Sequence, residues 1–533
     1  MSLLPADLAA GATVYLLEIE WGGQLVRAAE KTLDSAPFGI DSAKVQFEGA
    51  LDVAPGSRSL DLFRVAPDDR SIACTLHLTG LADVPDLISQ KHLLQGAPAR
   101  LYLHAEGSTR RLLVLAGLID GLEFGEKTEP VTFSVTQSIS EDLGSTHPAA
   151  QFIGVPAFGA DGSTWNYDSD FAGEYLPLVF GKPGDGAGTA FGSPAFGLNN
   201  VPGGTISAGV AAHPIAATSV YIENFDNSQT GTLSTMQGYR DVRGRRIALV
   251  DLQTWSAPRW SPGDEMWLDW GASAGGVVDA GGNLIRGAGD VIAYLLRRSS
   301  TDVDWGRLLP VLPLLNAYKI DTAIVRAPDA PVRPWEWLAS HVLPLLPVSV
   351  VTGPEGLSLA MWRYDATSQD AVAHLEAGVN CYRSSAVAVS GIDRVHNEIE
   401  ILYGVDAKTN QPTKRKVLTG HDQTLNDDSD AAASHHLRIS SDRYGRRPRK
   451  PIRADAVWED ATASRVLRWM ARRDAMPSES VAYDLSEEMG WLPPGSIVTL
   501  TDRGLSWSSR LALVEDVSHA DGRPAVALVL HTA

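Results

Sequence analysis

Leu492-Pro-Pro-Gly-Ser-Ile-Val-Thr-Leu-Thr-Asp502 reads as a turn that runs straight into a strand. Proline and glycine stop the preceding element, and the residues after them suit a pleated ladder. Working outward, Leu511-Ala-Leu-Val-Glu-Asp-Val517 is the next strand, and Pro524-Ala-Val-Ala-Leu-Val-Leu530 follows it. On the other side Asp460 is placed to cap a helix over 461–475, with Ala463, Val466, Leu467 and Met470 on one face. Further back, Val395-His-Asn-Glu-Ile-Glu-Ile-Leu-Tyr403 alternates as a strand. Between these signals lie a polar stretch, 406–434, with Asp427, Asp428 and Asp430, read as a mobile loop, and a basic run. The basic run holds Arg438, Arg443, Arg446, Arg447, Arg449, Lys450 and Arg453. Residues 394–533 thus read as a β domain with one helix.

The rest of the chain is also mainly β. Val14-Tyr-Leu-Leu-Glu-Ile-Glu-Trp21 ends at Gly22-Gly23, a turn signal. Ala99–His104 and the run from Arg111 form a hairpin across Glu106-Gly-Ser, and Pro130-Val-Thr-Phe-Ser-Val135 alternates with period two. Close-spaced strands over 1–145 suggest a barrel or sandwich, with one helix near Asp83 to Leu94. Residues 146–285 are a Gly/Pro-rich connector, which includes Leu176-Pro-Leu-Val-Phe-Gly181 and Gly192-Ser-Pro-Ala-Phe-Gly197, and then a β stretch from 216. Residues 286–393 mix helices and strands as a small α+β insert domain. Asp290–Arg298 ends in cations that suit the helix dipole, Pro334 opens a second helix, and Gly356–Trp362 is a strand.

At 533 residues the chain has room for roughly three to four domains. With 44% apolar residues it can build several cores. A formal net charge of −19 disfavours duplex binding and suits either plain solubility or a wall along which DNA slides without sticking. Cys74 and Cys381 are too far apart in sequence to suggest a disulfide framework or a metal cluster, and they are compatible with a reducing cytoplasm. The N-terminus does not read as a signal peptide. The apolar runs around Leu308 and Val342 are short and broken by prolines, so no stable membrane insertion is expected.

Chemical motifs are sparse. There is no Gly-x-Ser-x-Gly elbow, no phosphate loop and no His-Glu-x-x-His. Gly184, Gly186 and Gly188 approach a dinucleotide fingerprint, but the third glycine is out of register, so a flexible turn is the better reading. His435 and His436 read as solvated loop histidines, and Asp302, Asp304 and Trp305 as a cap beside a core residue. No catalytic residue, cofactor or metal is expected. Arg443, Arg446, Arg447, Arg449 and Lys450 are the candidate interface residues. With Tyr444 the single aromatic among them, a protein interface or solvated loop is favoured over a nucleic-acid platform. Fourteen tryptophans read mostly as core, with some free to anchor subunit contacts.

The order of these signals resembles the baseplate hub, or tail-tip, proteins of tailed bacteriophages, a family also found in gene-transfer-agent particles. The resemblance is best over 287–533 and strongest in the helix followed by Pro494-Gly-Ser-Ile-Val-Thr-Leu-Thr-Asp502. It implies a mainly β, multidomain chain with two β-barrels like those of the tail tube. It also implies a homotrimer that adapts a sixfold tube to a threefold tip. Such a hub would surround a DNA exit channel without specific binding. It would touch a distal-tail or tail-tube protein, a tip or fibre protein and the tape-measure protein, within a virion tail tip assembled in the host cytoplasm. The chain stops at Ala533, so on this reading receptor binding or wall cutting falls to other proteins. The alternatives are a receptor- or carbohydrate-binding virion protein and, behind it, a tail-associated cell-wall hydrolase.

Overall fold

The computed structural model describes residues 13–36, 45–53, 57–59, 70–78, 81, 93–105, 111–125, 130–137, 157–158, 164–167, 176–201, 205–211, 213, 215, 220–224, 229–233, 236–242, 245–251, 266–271, 276–277, 282–298, 303–325, 332–353, 356–363, 366–421, 431–486, 489, 492–520 and 523–530. The chain is mainly β, in several units.

Among the described residues the N-terminal unit has ten strands: β1 (Thr13–Trp21), β2 (Gln24–Ala29), β3 (Leu33–Ala36), β4 (Val45–Gly49), β5 (Leu51–Val53), β6 (Ser57–Ser59), β7 (Arg70–Leu76), β8 (Pro98–Ala105), β9 (Arg111–Phe124) and β10 (Val131–Gln137). The turn expected after Trp21 is made by Gly22 and Gly23, both at positive φ, where a side chain would strain. The β8–β9 hairpin pairs Leu101 with Leu115, as its alternation requires. Nine strands run in the order β3-β4-β2-β1-β8-β9-β10-β7-β5. Ala50 alone separates β4, parallel to β2, from β5, antiparallel to β7. Its N–H donates to Ala29 O at 3.0 Å and its carbonyl accepts from His77 N–H at 2.8 Å, so the sheet returns on itself as a near-closed barrel. Leu17, Ile19, Trp21, Leu101, Leu115 and Phe133 fill it. The helix expected near 83–94 falls largely outside the described residues.

The next strands are β11 (Ala157–Phe158), β12 (Thr164–Tyr167), β13 (Leu178–Phe180), β14 (Ser193–Val201), β15 (Thr205–Ala211), β16 (Val220–Asn224), β17 (Gln229–Leu233), β18 (Met236–Val242), β19 (Arg245–Asp251) and β20 (Met266–Asp269). All but β13 form a second sheet. Gly192-Ser-Pro-Ala-Phe-Gly197, read from sequence as connector, is largely β14. Its pairing with β20 and β15 overrides the Gly/Pro content.

A helical unit follows: α1 (Ala288–Leu296), α2 (Trp305–Leu308), α3 (Leu312–Leu315), β21 (Thr322–Ile324), α4 (Pro334–His341), β22 (Val348–Gly353) and β23 (Gly356–Met361). Further along come β24 (Ala373–Glu376), β25 (Cys381–Arg383), β26 (Ala388–Val389), β27 (Glu398–Asp406), β28 (Gln411–Thr419), α5 (Ala431–Tyr444), β29 (Ile452–Ala454), α6 (Asp460–Asp474), β30 (Glu479–Leu485), β31 (Ile497–Asp502), β32 (Trp507–Ala520) and β33 (Arg523–Leu530). The stretch 406–434 is therefore not one loop, because β28 and the start of α5 lie in it. The β unit has two helices where the sequence suggested one. The cap of α6 is Glu459, whose carboxylate accepts from the Thr462 hydroxyl at 2.9 Å, while Asp460 is already helical.

One core joins α1, α3 and α4 to α5, α6 and the sheet β28-β27-β29. Val291, Leu295, Leu338, Ile401, Val466 and Leu467 are all inside it. The last sheet runs β24-β31-β32-β33-β30-β25. A bridge between Ala377 and Cys381 brings its two ends together, giving a second near-closed barrel filled by Leu375, Val481, Tyr483, Leu500, Val514 and Leu528. This barrel is discontinuous, since 398–474 interrupts it. β6, sent out from the first barrel between β5 and β7, pairs with Asp516–Ser518 of β32 in the second.

Candidate functional site

Two features stand out: a glycine-rich strap that pins three units together, and the basic residues around α5.

The strap, 181–192, is crossed by three buried aspartates, one from each unit it meets. Asp321, just before β21, accepts from Lys182 N–H at 2.8 Å and holds Arg286 through bonds of 2.6 and 2.9 Å. Asp269, the last residue of β20, accepts from Gly186 N–H at 3.0 Å, Gly188 N–H at 2.8 Å and Gly271 N–H at 2.8 Å. Asp406, the last residue of β27, accepts from Phe191 N–H at 2.9 Å, and Phe191 O accepts from Ala407 N–H at 2.7 Å. Asp269 and Asp321 have no solvent exposure, so each carboxylate depends on these donors to offset the lost water. Gly184, at φ +126°, could carry no side chain, because a Cβ there would collide with Asp269 Oδ1.

The turn at 184–188 is therefore ordered, not flexible, and its N–H groups point at a carboxylate of the protein itself. The donors that a dinucleotide phosphate would need are already engaged. Burial pushes the Asp269 carboxyl up to about 6, against the pull of the three backbone N–H groups and with a further rise from its hydrogen bond to Asp185. Asp185 is the converse case. Burial pushes it up, but the hydroxyl and N–H of Thr189, the N–H of Ala187 and the bond to Asp269 outweigh this and hold it down at about 2.

The basic residues divide by partner. Arg446 makes a two-pronged pair with Glu398 at 2.6 and 2.8 Å, and this pair holds the Glu398 carboxyl below its usual range. Arg447 donates to the carbonyls of Tyr444 and Ile392 at 3.2 Å each. Arg449 is held by Asp474, which Arg473 also clasps. Arg438, Arg443 and Lys450 are exposed and have no carboxylate partner among the described residues. Arg443 lies 5.9 Å from the ring centre of its neighbour Tyr444. Of the five residues singled out from sequence, Arg446, Arg447 and Arg449 fasten the chain to itself, Arg446 while still exposed, and Arg443 and Lys450 look outward.

The other candidates are structural. Asp304 caps α2 by accepting from Arg307 N–H, and Trp305 packs against the large core; Asp302 lies outside the described residues. His435 and His436 sit on α5, not in a loop. Trp21, Trp270, Trp335, Trp458 and Trp469 are buried, as expected of core tryptophans. Burial pushes both the Cys74 and the Cys381 thiol up to about 12, which leaves each an inert core residue. Among the described residues, no group of His, Cys, Asp or Glu could hold a metal, and no helix is long and apolar enough to cross a membrane.

Residues 433–514, from α5 into β32, match the family model described as "Putative phage tail protein". This is the segment on which the resemblance drawn from sequence is strongest, and the resemblance to phage tail proteins is borne out there. No curated protein matches the chain in sequence. Among solved structures, it is similar to a tail protein from Neisseria meningitidis MC58 at 10% identity, covering 97% of this chain and 96% of that one with a TM-score of 0.36. It is likewise similar to a 43 kDa tail protein of prophage MuSo2 from Shewanella oneidensis, at 10% identity, 97% and 98% coverage and a TM-score of 0.37. A chain of the phage P2 baseplate gives 11% identity, 73% and 97% coverage and a TM-score of 0.15.

Proposed function

We propose that this chain is the structural hub of a phage-like tail baseplate or tail tip. It acts as a homotrimeric ring that adapts a sixfold tube to a threefold tip around the DNA exit channel. The single observation that carries this reading is two near-closed β-barrels in one chain, fastened to each other by β6. Three copies would set six barrels about one axis, so that a threefold ring presents a sixfold rim. Barrel closure also removes the free strand edges that would otherwise aggregate. The net charge of −19 suits a wall past which DNA slides without binding.

On this reading the domains divide at 145, 285 and 393, with 373–389 lent to the last unit's barrel. One side of the ring meets a distal-tail or tail-tube protein and the other a tip or fibre protein, with the tape-measure protein at the centre. The chain works by geometry, without catalysis, in a virion tail tip put together in the host cytoplasm. A cryo-EM map of the particle tests this. The chain should form a ring on the tail axis, and density for it away from that axis would overturn the proposal.

A further inference from the structure

The chain is strongly bipolar. Residues 1–145 hold eleven Lys and Arg against twenty Asp and Glu, a net of −9. Residues 431–453 hold seven Lys and Arg against the single Asp442, a net of +6. More than half of those cations are engaged inside the chain: Arg446, Arg447 and Arg449 as described, and Arg453 by Asp455. Arg438, Arg443 and Lys450 face outward. His435, Arg438, Ile439, Asp442 and Arg443 recur at helical spacing on the exposed side of α5, and Lys450 lies beyond its end, so the stripe carries three cations against one carboxylate. Ile439, 38% exposed, gives this stripe an apolar centre.

The outer wall of the N-terminal barrel has the complementary make-up. Glu20 pairs across β1–β2 with Leu25, which is 44% exposed. Two strands on from β1, Leu118 of β9, 50% exposed, pairs with Pro98 of β8, and Asp120 and Glu123 follow it along β9. Glu20, Asp120 and Glu123 thus stand around exposed leucines on one wall, against the exposed Arg100 of β8, while Arg438 and Arg443 stand around an exposed isoleucine on the other surface, against Asp442. A chain of net charge −19 repels its own copies, so association needs a local patch of the opposite sign.

We infer that the α5 stripe of one copy, Arg438, Ile439, Arg443 and Lys450, docks on the acidic outer wall of the N-terminal barrel of the next copy. The two surfaces differ, so the contact is head-to-tail, the type that closes into a ring when the rotation permits. The inference rests on the proposed ring and names the surfaces that would build it.

The test is light scattering of the full chain over a concentration and salt series. It compares the wild type, the triple variant R438E/R443E/K450E, the variant E20R/E123R, and one chain that carries both sets. Thermal melting of each variant confirms that it is folded. The expected result is an oligomer weakened by salt, association weakened about tenfold or more in each single set, and recovery in the combined chain. A wild-type oligomer that ignores both sets would overturn this interface and leave the ring reading standing. A wild type that stays monomeric at every concentration and salt would count against both.

Discussion

Asp269 sits where a carboxylate has no water to lean on, and that has a measurable consequence. Its folded pKa of about 6 lies above its ordinary value, so the folded chain keeps a proton that the unfolded chain gives up. The stabilisation is fully present below the ordinary carboxylate range and is lost as pH rises through about 6. Asp269→Asn should remove this slope. The difference in melting temperature between wild type and variant should change between pH 4.5 and 7.5 by an amount corresponding to roughly 2 kcal/mol, with the wild type relatively stronger at the acid end. An unchanged difference would show that Asp269 does not titrate in this range. None of this was legible in the sequence. The glycines of 184–188 are visible as a turn, but the carboxylate that orders them lies some eighty residues away. In the same way, nothing in the order of 443–450 separates Arg449, tied to Asp474, from Lys450, which has no carboxylate partner among the described residues.

At the scale of single elements, α6 was the most legible. Its apolar positions at helical spacing match the face that is buried, because packing and periodicity agree there. Trp469 anchors that face, with its indole N–H donating to Leu345 O at 2.9 Å and Arg473 stacked 4.5 Å from the ring centre. Trp469→Ala should lower the stability of the helical unit by about 3–5 kcal/mol in urea unfolding, and Trp469→Phe by far less, since the ring volume is largely kept. Equal losses would mean that the hydrogen bond, not the packing, does the anchoring. The elements that sequence missed, β14, β28 and the start of α5, share a cause. Their composition is that of loops, and pairing with partners distant in the chain supplies what local propensity lacks. Lys414 and Lys416 of β28, for example, reach Trp458 O and the Ser464 hydroxyl at 3.1 and 3.0 Å.

For the molecule as a whole, the mainly β, multidomain class could be read from alternation and turn spacing, and the β hairpins fell where expected. How the sheets close could not be read, because closure depends on Ala50 in one barrel and on the Ala377–Cys381 bridge in the other. The coupling of the barrels through β6 was equally hidden, and it predicts a localised response. Arg58→Pro, which removes a backbone donor opposite Val517, should speed hydrogen exchange at 516–518 while leaving the cores of both barrels protected. Uniform loosening of the second barrel would instead make β6 part of its core. The interrupted path of that barrel also sets a timetable for synthesis. The first barrel has all its described strands once residue 137 has left the ribosome, whereas β25 must wait about a hundred residues for β30 and β24 longer still for β31. During that interval a nascent chain carries one finished barrel beside two unpaired strand pieces. The second barrel, and any assembly that needs both, can only mature once β33 has been made.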